Sequence, residues 1–291
     1  MSGFSHILFP VDFSDRCVSA IPHVKEMMRR HNSKLTLLHV VEVPIAWYGA
    51  MQAEWAFAGE SPVGLIADGQ EDLKRFRDEH FADSGCVQMI CEFGAPARAI
   101  VADAENIGAD LIMMPTHGEG PFRSFLLGSV TTSVLHRAHC PVWTAAHLED
   151  HSAEHVEVKK ILCALDLEKE SARVLKYAAE LGTKLGAEVR LVHSVPPPQA
   201  ATMEQFNYDF EHFLSDSAKN RAAALQKEVG TSFELTLEAG SVADVVKEAA
   251  SWHTADLIVI GRGHVQAPFA GLRTNAHAII RTAPCPVLSL L

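Results

Sequence analysis

Four apolar residues, Leu111-Ile112-Met113-Met114, run into Pro115-Thr116-His117-Gly118, and a helical pattern opens further on at Gly128-Ser129. A strand, then a glycine-bearing turn, then a helix start is an arrangement suited to phosphate. The first N–H groups of a helix lack intrahelical acceptors, and the helix dipole is positive at the same point.

Other groups carry less chemistry. His147, His151 and His155 recur at every fourth residue, with Glu149, Asp150 and Glu154 between them. On a helix these imidazoles would share a face and suit zinc, nickel or copper, but a solvated, His-rich linker is the plainer reading, so no metal site is assigned. The six cysteines, Cys17, Cys86, Cys91, Cys140, Cys163 and Cys285, show no C-x-x-C spacing. They read as buried free thiols in a reducing compartment. Neither a G-x-x-x-x-G-K-[ST] loop nor a G-x-S-x-G elbow is present, and no nucleophile stands beside an evident base. No catalytic residue is assigned, and a binding module is expected rather than an enzyme. His39 and His193 each close an apolar strand, which fits a packed, hydrogen-bonded position.

The elements that must position the turn follow from periodicity. His6–Val11 and Lys34–Val41 read as strands, the second almost continuously apolar, as when both faces are covered. Between them Val18, Ile21, Val24, Met27 and Met28 recur at helical spacing, with Ser14 or Asp15 as the cap. Trp47, Tyr48, Trp55 and Phe57 fall in a long connection; a lid, an interaction patch and a cover for the flank of the core all remain open readings. A polar helix over 65–82, a strand Val87–Phe93, a helix over 97–107, the phosphate turn and a last strand, Cys140–Thr144, complete this half. Alternating strands and helices imply βαβ units and a parallel sheet.

The pattern then repeats. Asp166 echoes Asp12 and His193 echoes His39, both at an offset of 154. Gly240 echoes Gly94, and Leu257 to Ile260 echo Leu111 to Met114, at 146; Cys285-Pro286-Val287 echoes Cys140-Pro141-Val142 at 145. The chain is a duplicated α/β domain.

Composition agrees. With 291 residues, 48% hydrophobic and 21% charged, each half can bury a core. A formal net charge of −11 argues against nucleic acid or an anionic membrane as partner, yet a local nest of N–H groups can still hold phosphate. The N-terminal residues lack the basic and apolar regions of a signal peptide, and no apolar run approaches the ~20 residues of a membrane helix. The expected location is the cytoplasm.

A strand ending in Asp (Val11-Asp12, Leu165-Asp166), a strand ending in His-Val or His-Ser, the glycine turn and a terminal Cys-Pro-Val strand occur in this order twice. Together they resemble the universal stress protein family in its tandem two-domain form. The family's nucleotide motif, G-x2-G-x9-G-S/T, reads here as Pro115-x2-Gly118-x9-Gly128-Ser129. The resemblance implies two Rossmann-like (adenine nucleotide alpha hydrolase-like) domains, 1–147 and 158–291, joined by a linker, 148–157. Each would be an open five-stranded parallel sheet with helices on both faces. It implies ATP or AMP as cofactor, with Mg²⁺ accompanying ATP. Asp12 and Val40 would line the adenine end. Met114, Pro115, Thr116, His117 and Gly118 would line the ribose and phosphate edge, and Gly128, Ser129, Val130 and Thr131 the phosphates. It further implies a pseudo-dimer of the two halves through their last strands, a homodimer of tandem chains, and an unidentified protein partner. The expected function is a stress-response sensor or regulator; a nucleotide-free interaction or chaperone-like module and a slow ATPase are the alternatives.

Two departures from the motif matter. Proline fixes φ and has no N–H. A donor lost at Pro115 would remove about 1.5–3 kcal/mol, or roughly tenfold to 150-fold in affinity. The second half reads Gly261-Arg262-Gly263-His264, with Arg273-Thr274 where the first half has Gly128-Ser129. A bulky residue at the helix start crowds a phosphate, so no ordinary ATP site is expected there. Arg262 and Arg273 either grip another anion or are solvated or paired to local acids.

Overall fold

A computed structural model describes residues 3–42, 62–116, 127–145, 156–196, 204–262 and 274–291. In the first repeat the elements are β1 (His6–Pro10), α1 (Asp15–His31), β2 (Lys34–Val41), α2 (Pro62–His80), β3 (Val87–Phe93), α3 (Pro96–Asn106), β4 (Leu111–Pro115), α4 (Ser129–Arg137) and β5 (Val142–Ala145). In the second they are β6 (Lys160–Ala164), α5 (Ser171–Leu185), β7 (Glu188–Val195), α6 (Glu204–Val229), β8 (Leu235–Ala239), α7 (Val242–Trp252), β9 (Leu257–Gly261), α8 (Thr274–Thr282) and β10 (Val287–Leu290). The aromatic connection at 47–57 and the histidines at 147–155 lie outside the described residues.

Strand order is β3-β2-β1-β4-β5 in the first repeat and β10-β9-β6-β7-β8 in the second. The pairs of β1 with β2 and β4, and of β6 with β7 and β9, are parallel. This is the Rossmann-like α/β fold in duplicate. Order reverses between β1 and β4 and again between β6 and β9, so each repeat has a switch point where neighbouring strands send their connections to opposite sides. Two compact units emerge, one spanning Phe4–Val142, the other Glu157–Leu291 together with the chain from Trp143. Their boundary falls inside β5, and in the second unit Thr144 Oγ1 donates to the Val287 carbonyl at 3.4 Å.

The central strands are apolar because helices cover both faces: Ile7, Leu8, Phe9, Leu111, Ile112 and Met113 are fully buried. Helix α1 starts at Ser14, whose Oγ accepts from the Cys17 N–H at 3.2 Å. Its inward face is Cys17, Ala20, Ile21, Val24 and Met27, whereas Val18, expected inside, is 37% exposed. The helix ends with Asn32 at φ +51, and its counterpart Gly186 ends α5 at φ +69. Both are left-handed caps of the kind glycine and asparagine supply.

The start of each central strand is held by one carboxylate. Asp110 accepts from the N–H groups of Ser5 (2.7 Å) and His6 (3.0 Å) and from Ser5 Oγ (2.6 Å). Asp256 accepts from the N–H groups of Lys159 (2.8 Å) and Lys160 (2.9 Å). Each aspartate in turn donates its N–H to the strand it holds, to the His6 and Lys160 carbonyls. The clasp fixes β1 against the start of β4, and β6 against β9.

On α3, Asp103 loses solvent, which pushes its carboxyl above the ordinary range; its Oδ2 is buried without a hydrogen-bond partner. Glu92 at the end of β3 is also raised, by burial and then by the charge of Asp103.

Asp110→Ala and Asp256→Ala are each expected to cost about 1–2 kcal/mol, the value of charge-assisted bonds at a partly solvated site. Urea denaturation checks this, and unchanged midpoints would remove the clasps from the account. For Asp103 the folded pKa lies above the unfolded one. Its cost to stability is therefore present above the folded pKa and vanishes below the unfolded one. Asp103→Asn should raise Tm at neutral pH, with the gain shrinking as pH falls through the carboxylate range. A gain independent of pH would contradict the assignment.

Candidate functional site

At the carboxyl end of β1 the chain turns sharply. Val11 donates its N–H to the Leu38 carbonyl at 2.8 Å, and Phe13 then adopts φ +62. Asp12 Oδ1 holds the turn, accepting from Ser14 N (3.1 Å) and Ser14 Oγ (2.7 Å). The second repeat does the same: Leu167 has φ +57, and Asp166 Oδ1 accepts from Glu168 N (2.9 Å) and Ser171 Oγ (2.8 Å). A left-handed, non-glycine residue costs on the order of 1–2 kcal/mol. The aspartate side-chain turn offsets that cost. Asp12 itself stays exposed at the rim, and its carboxylate braces the helix cap instead of capping directly. Nothing in the sequence marks Phe13 or Leu167 as left-handed; the available signal was an Asp followed two residues later by Ser in the first repeat.

His39 closes β2 beside this turn. Its Nδ1 lies 2.8 Å from the Val11 carbonyl, which can only accept, so Nδ1 carries the proton. His193 makes the same bond to Leu165, also at 2.8 Å. Val40, half-buried on β2, pairs with Glu92 of β3.

Met114, Pro115 and Thr116 are buried at the end of β4, next to β1. His117 and Gly118 lie outside the described residues. The chain resumes at Leu127, and Gly128 is the N-cap of α4 with φ −55 and ψ 144. Gly128 donates its N–H to the Thr116 carbonyl at 2.9 Å, and Thr131 Oγ1 donates to the Pro115 carbonyl at 3.1 Å. These two bonds seat the start of α4 on the end of β4. They also give Thr131, 3% exposed, a structural side chain. No side chain caps α4, and the N–H groups of Ser129, Val130 and Thr131 have no protein acceptor among the described residues. The resulting edge of open donors lies beside the β1–β4 switch point, where anions bind on open α/β sheets.

The corresponding place in the second repeat is a cleft of about 660 Å³ at the carboxyl ends of β6, β7 and β9. Gly261 occupies the position of Pro115. A Cβ on Gly261 would come within 3.0 Å of Val174 Cγ2 on α5. The counterpart of Val174 on α1 is the fully buried Ala20. At the equivalent positions the second repeat has Gly261 and Val174, and the first has Pro115 and Ala20. Arg262, next in the chain, is 2% exposed and donates its N–H to the Leu290 carbonyl at 2.6 Å. Its burial removes the solvated reading, one of the three open for it. Arg273 lies outside the described residues.

Thiol chemistry is suppressed nearby. Burial pushes Cys17 and Cys163 each up to about 12, and Cys285 likewise. All six cysteines are free. Among the described residues no group of three His, Cys, Asp or Glu side chains is placed to hold a metal.

The family model described as the universal stress protein family matches residues 3–145 and again 157–290. The chain belongs to the universal stress protein family. Universal stress protein MJ0531 of Methanocaldococcus jannaschii is 34% identical over 142 residues, covering 48% of this chain and 80% of the relative. Universal stress protein MJ0577 of the same organism is 29% identical over 151 residues, covering 48% of this chain and 93% of the relative. Each of these single-domain lengths thus matches about one half of this tandem universal stress protein. A solved universal stress protein from Archaeoglobus fulgidus covers 100% of this chain and 98% of its own, with a TM-score of 0.69 at 20% identity, which speaks for the fold.

In this universal stress protein, Gly261→Ala is expected to destabilise the second repeat by about 1 kcal/mol, the scale of mild overpacking. Val174→Ala should relieve much of that cost in the double variant. A thermodynamic cycle reads the coupling, and strict additivity would refute the proposed exchange.

Proposed function

We propose that the first repeat, residues 1–147, binds an adenine nucleotide, ATP or AMP, with Mg²⁺ accompanying ATP. The observation that carries this reading is the row of open N–H groups on Ser129, Val130 and Thr131, seated beside the β1–β4 switch point. Phosphates lie against that row and along Met114 to Gly118. The adenine lies toward Asp12 and Val40, at the rim of the left-handed turn. Pro115 takes no direct part through its backbone nitrogen; its carbonyl anchors Thr131, which keeps the donor row in place.

The role is that of a cytoplasmic sensor or regulator that reports nucleotide state to a protein partner. Binding, not a chemical step, is the function. This is supported by thiols held protonated by burial and by a histidine whose Nδ1 proton is committed to Val11. Family membership supports a stress-response setting, and the two repeats in one chain fit a pseudo-dimer. The linker 148–157 separates the nucleotide-binding repeat from the second, 158–291, whose sequence has Arg273-Thr274 in place of Gly128-Ser129, a replacement unsuited to a triphosphate.

Ser129→Pro separates donor from fold. Proline is tolerated at the first helical position, and Gly128 already has the extended backbone that a residue before proline adopts. Loss of one donor to a charged phosphate is about 1.5–3 kcal/mol. Calorimetry with ATP and Mg²⁺ should therefore show affinity falling about tenfold to 150-fold with Tm little changed. A wild-type chain that binds no adenine nucleotide at millimolar concentration would end this reading, as would a Ser129→Pro variant that binds ATP unaltered.

A further inference from the structure

Strand β3 is the outer strand of the first repeat, paired with β2 on one side alone among the described residues. At its start the Cys86 carbonyl accepts from the Leu35 N–H, and at its end the Gly94 N–H donates to the Val41 carbonyl. Consecutive residues of a strand turn their backbone groups to opposite sides, so the even-numbered residues face β2. The N–H and C=O groups of Val87, Met89, Cys91 and Phe93 face outward and have no partner among the described residues.

Such a row is a template for another strand, and folded proteins blunt it with short strands, charges, prolines or bulges. The outer strand of the second repeat, β8, is blunted: it has five residues, with Glu238 inside it and Glu234 directly before it, both exposed. Strand β3 has seven residues, Val-Gln-Met-Ile-Cys-Glu-Phe, with neither proline nor lysine. None of its side chains is buried, and Met89 is 38% exposed. Its single charge is Glu92, half-buried beside Asp103 of α3.

The residues along this edge say what fits it. Antiparallel pairing with a second copy of β3 engages every outward residue in one register, the one centred on Ile90. Val87 then lies opposite Phe93 and Met89 opposite Cys91, as hydrogen-bonded pairs. Cys91 Sγ donates to the Ile66 carbonyl of α2, so these side chains lie on the α2 side, and the joint is apolar there. On the other side Ile90 meets Ile90, and Gln88 meets Glu92, an amide donor against a carboxylate. No like charges are opposed, and a two-fold joint of this kind closes on itself.

We propose that the β3 edge is a self-association surface, through which two chains join antiparallel along Val87–Phe93 in the register centred on Ile90. It uses neither of the last strands, β5 and β10. The proposal does not depend on nucleotide binding by the first repeat.

Analytical ultracentrifugation of the full chain tests it. The wild type should dimerise reversibly as concentration rises. Met89→Pro removes one outward N–H and leaves the β2 ladder, since an edge strand accepts proline with that side to solvent. Met89→Lys places an edge charge on a side chain that is already exposed. Each should weaken the dimer at least tenfold, and Met89→Lys should leave Tm little changed. Leu237→Pro, the same change at an outward position of β8, should leave the dimer intact. Hydrogen exchange locates the joint: the Met89 and Cys91 amides should slow as the dimer fills, while those of Leu235 and Leu237 keep their rates. A chain that stays monomeric at millimolar concentration overturns the proposal. So does a dimer that survives Met89→Lys, a dimer lost in Leu237→Pro, or exchange at Met89 that ignores concentration.

Discussion

The hydrogen bond from the Gly128 N–H to the Thr116 carbonyl decides what the first repeat can do. It ties Gly128, near where the described chain resumes, to the end of β4, and α4 starts there. Thr131 repeats the constraint one turn later through Pro115. Both tie the start of α4 to the end of β4, and the N–H groups of Ser129, Val130 and Thr131 have no protein acceptor among the described residues. The clasps at Asp110 and Asp256 act at the opposite end of the strands, fixing where β1 and β4, or β6 and β9, begin. A site at a strand's carboxyl end is positioned only as well as the register beneath it.

Duplication offers an internal control. Features present in both repeats belong to the scaffold: the aspartate-held, left-handed turn, the histidine tied to the end of the first strand, the clasp, and the left-handed helix cap. Features that differ mark where the halves have diverged. Proline with alanine replaces glycine with valine across one helix–strand contact. Ser14 and Arg16 stand where the second repeat has Glu168 and Glu170. The second changes the local charge at the start of the following helix.

Much of this was legible in the sequence. The strands, the order of elements and the repeat offsets follow from apolar runs and recurring Asp, His and Gly positions, because parallel strands buried on both faces leave a strong local pattern. Ser14 as cap was legible for the same reason. The clasps were not: Asp110 sits beside Ser5 only after β1 and β4 pair, and nothing near either residue announces it. Val18 was misplaced because helical spacing gives a face and not its edge. The cleft of the second repeat was hidden behind the substituted helix start, which said nothing of the space at the ends of β6, β7 and β9. The exchange of Pro115 and Gly261 became interpretable only once Val174 was seen against Gly261.

The central claim is that, of two copies of one fold, the first alone holds a nucleotide. Native mass spectrometry of the full chain titrated with ATP and Mg²⁺ tests it most directly. One ATP bound per chain at saturation is the predicted result, and either none or two would contradict the account.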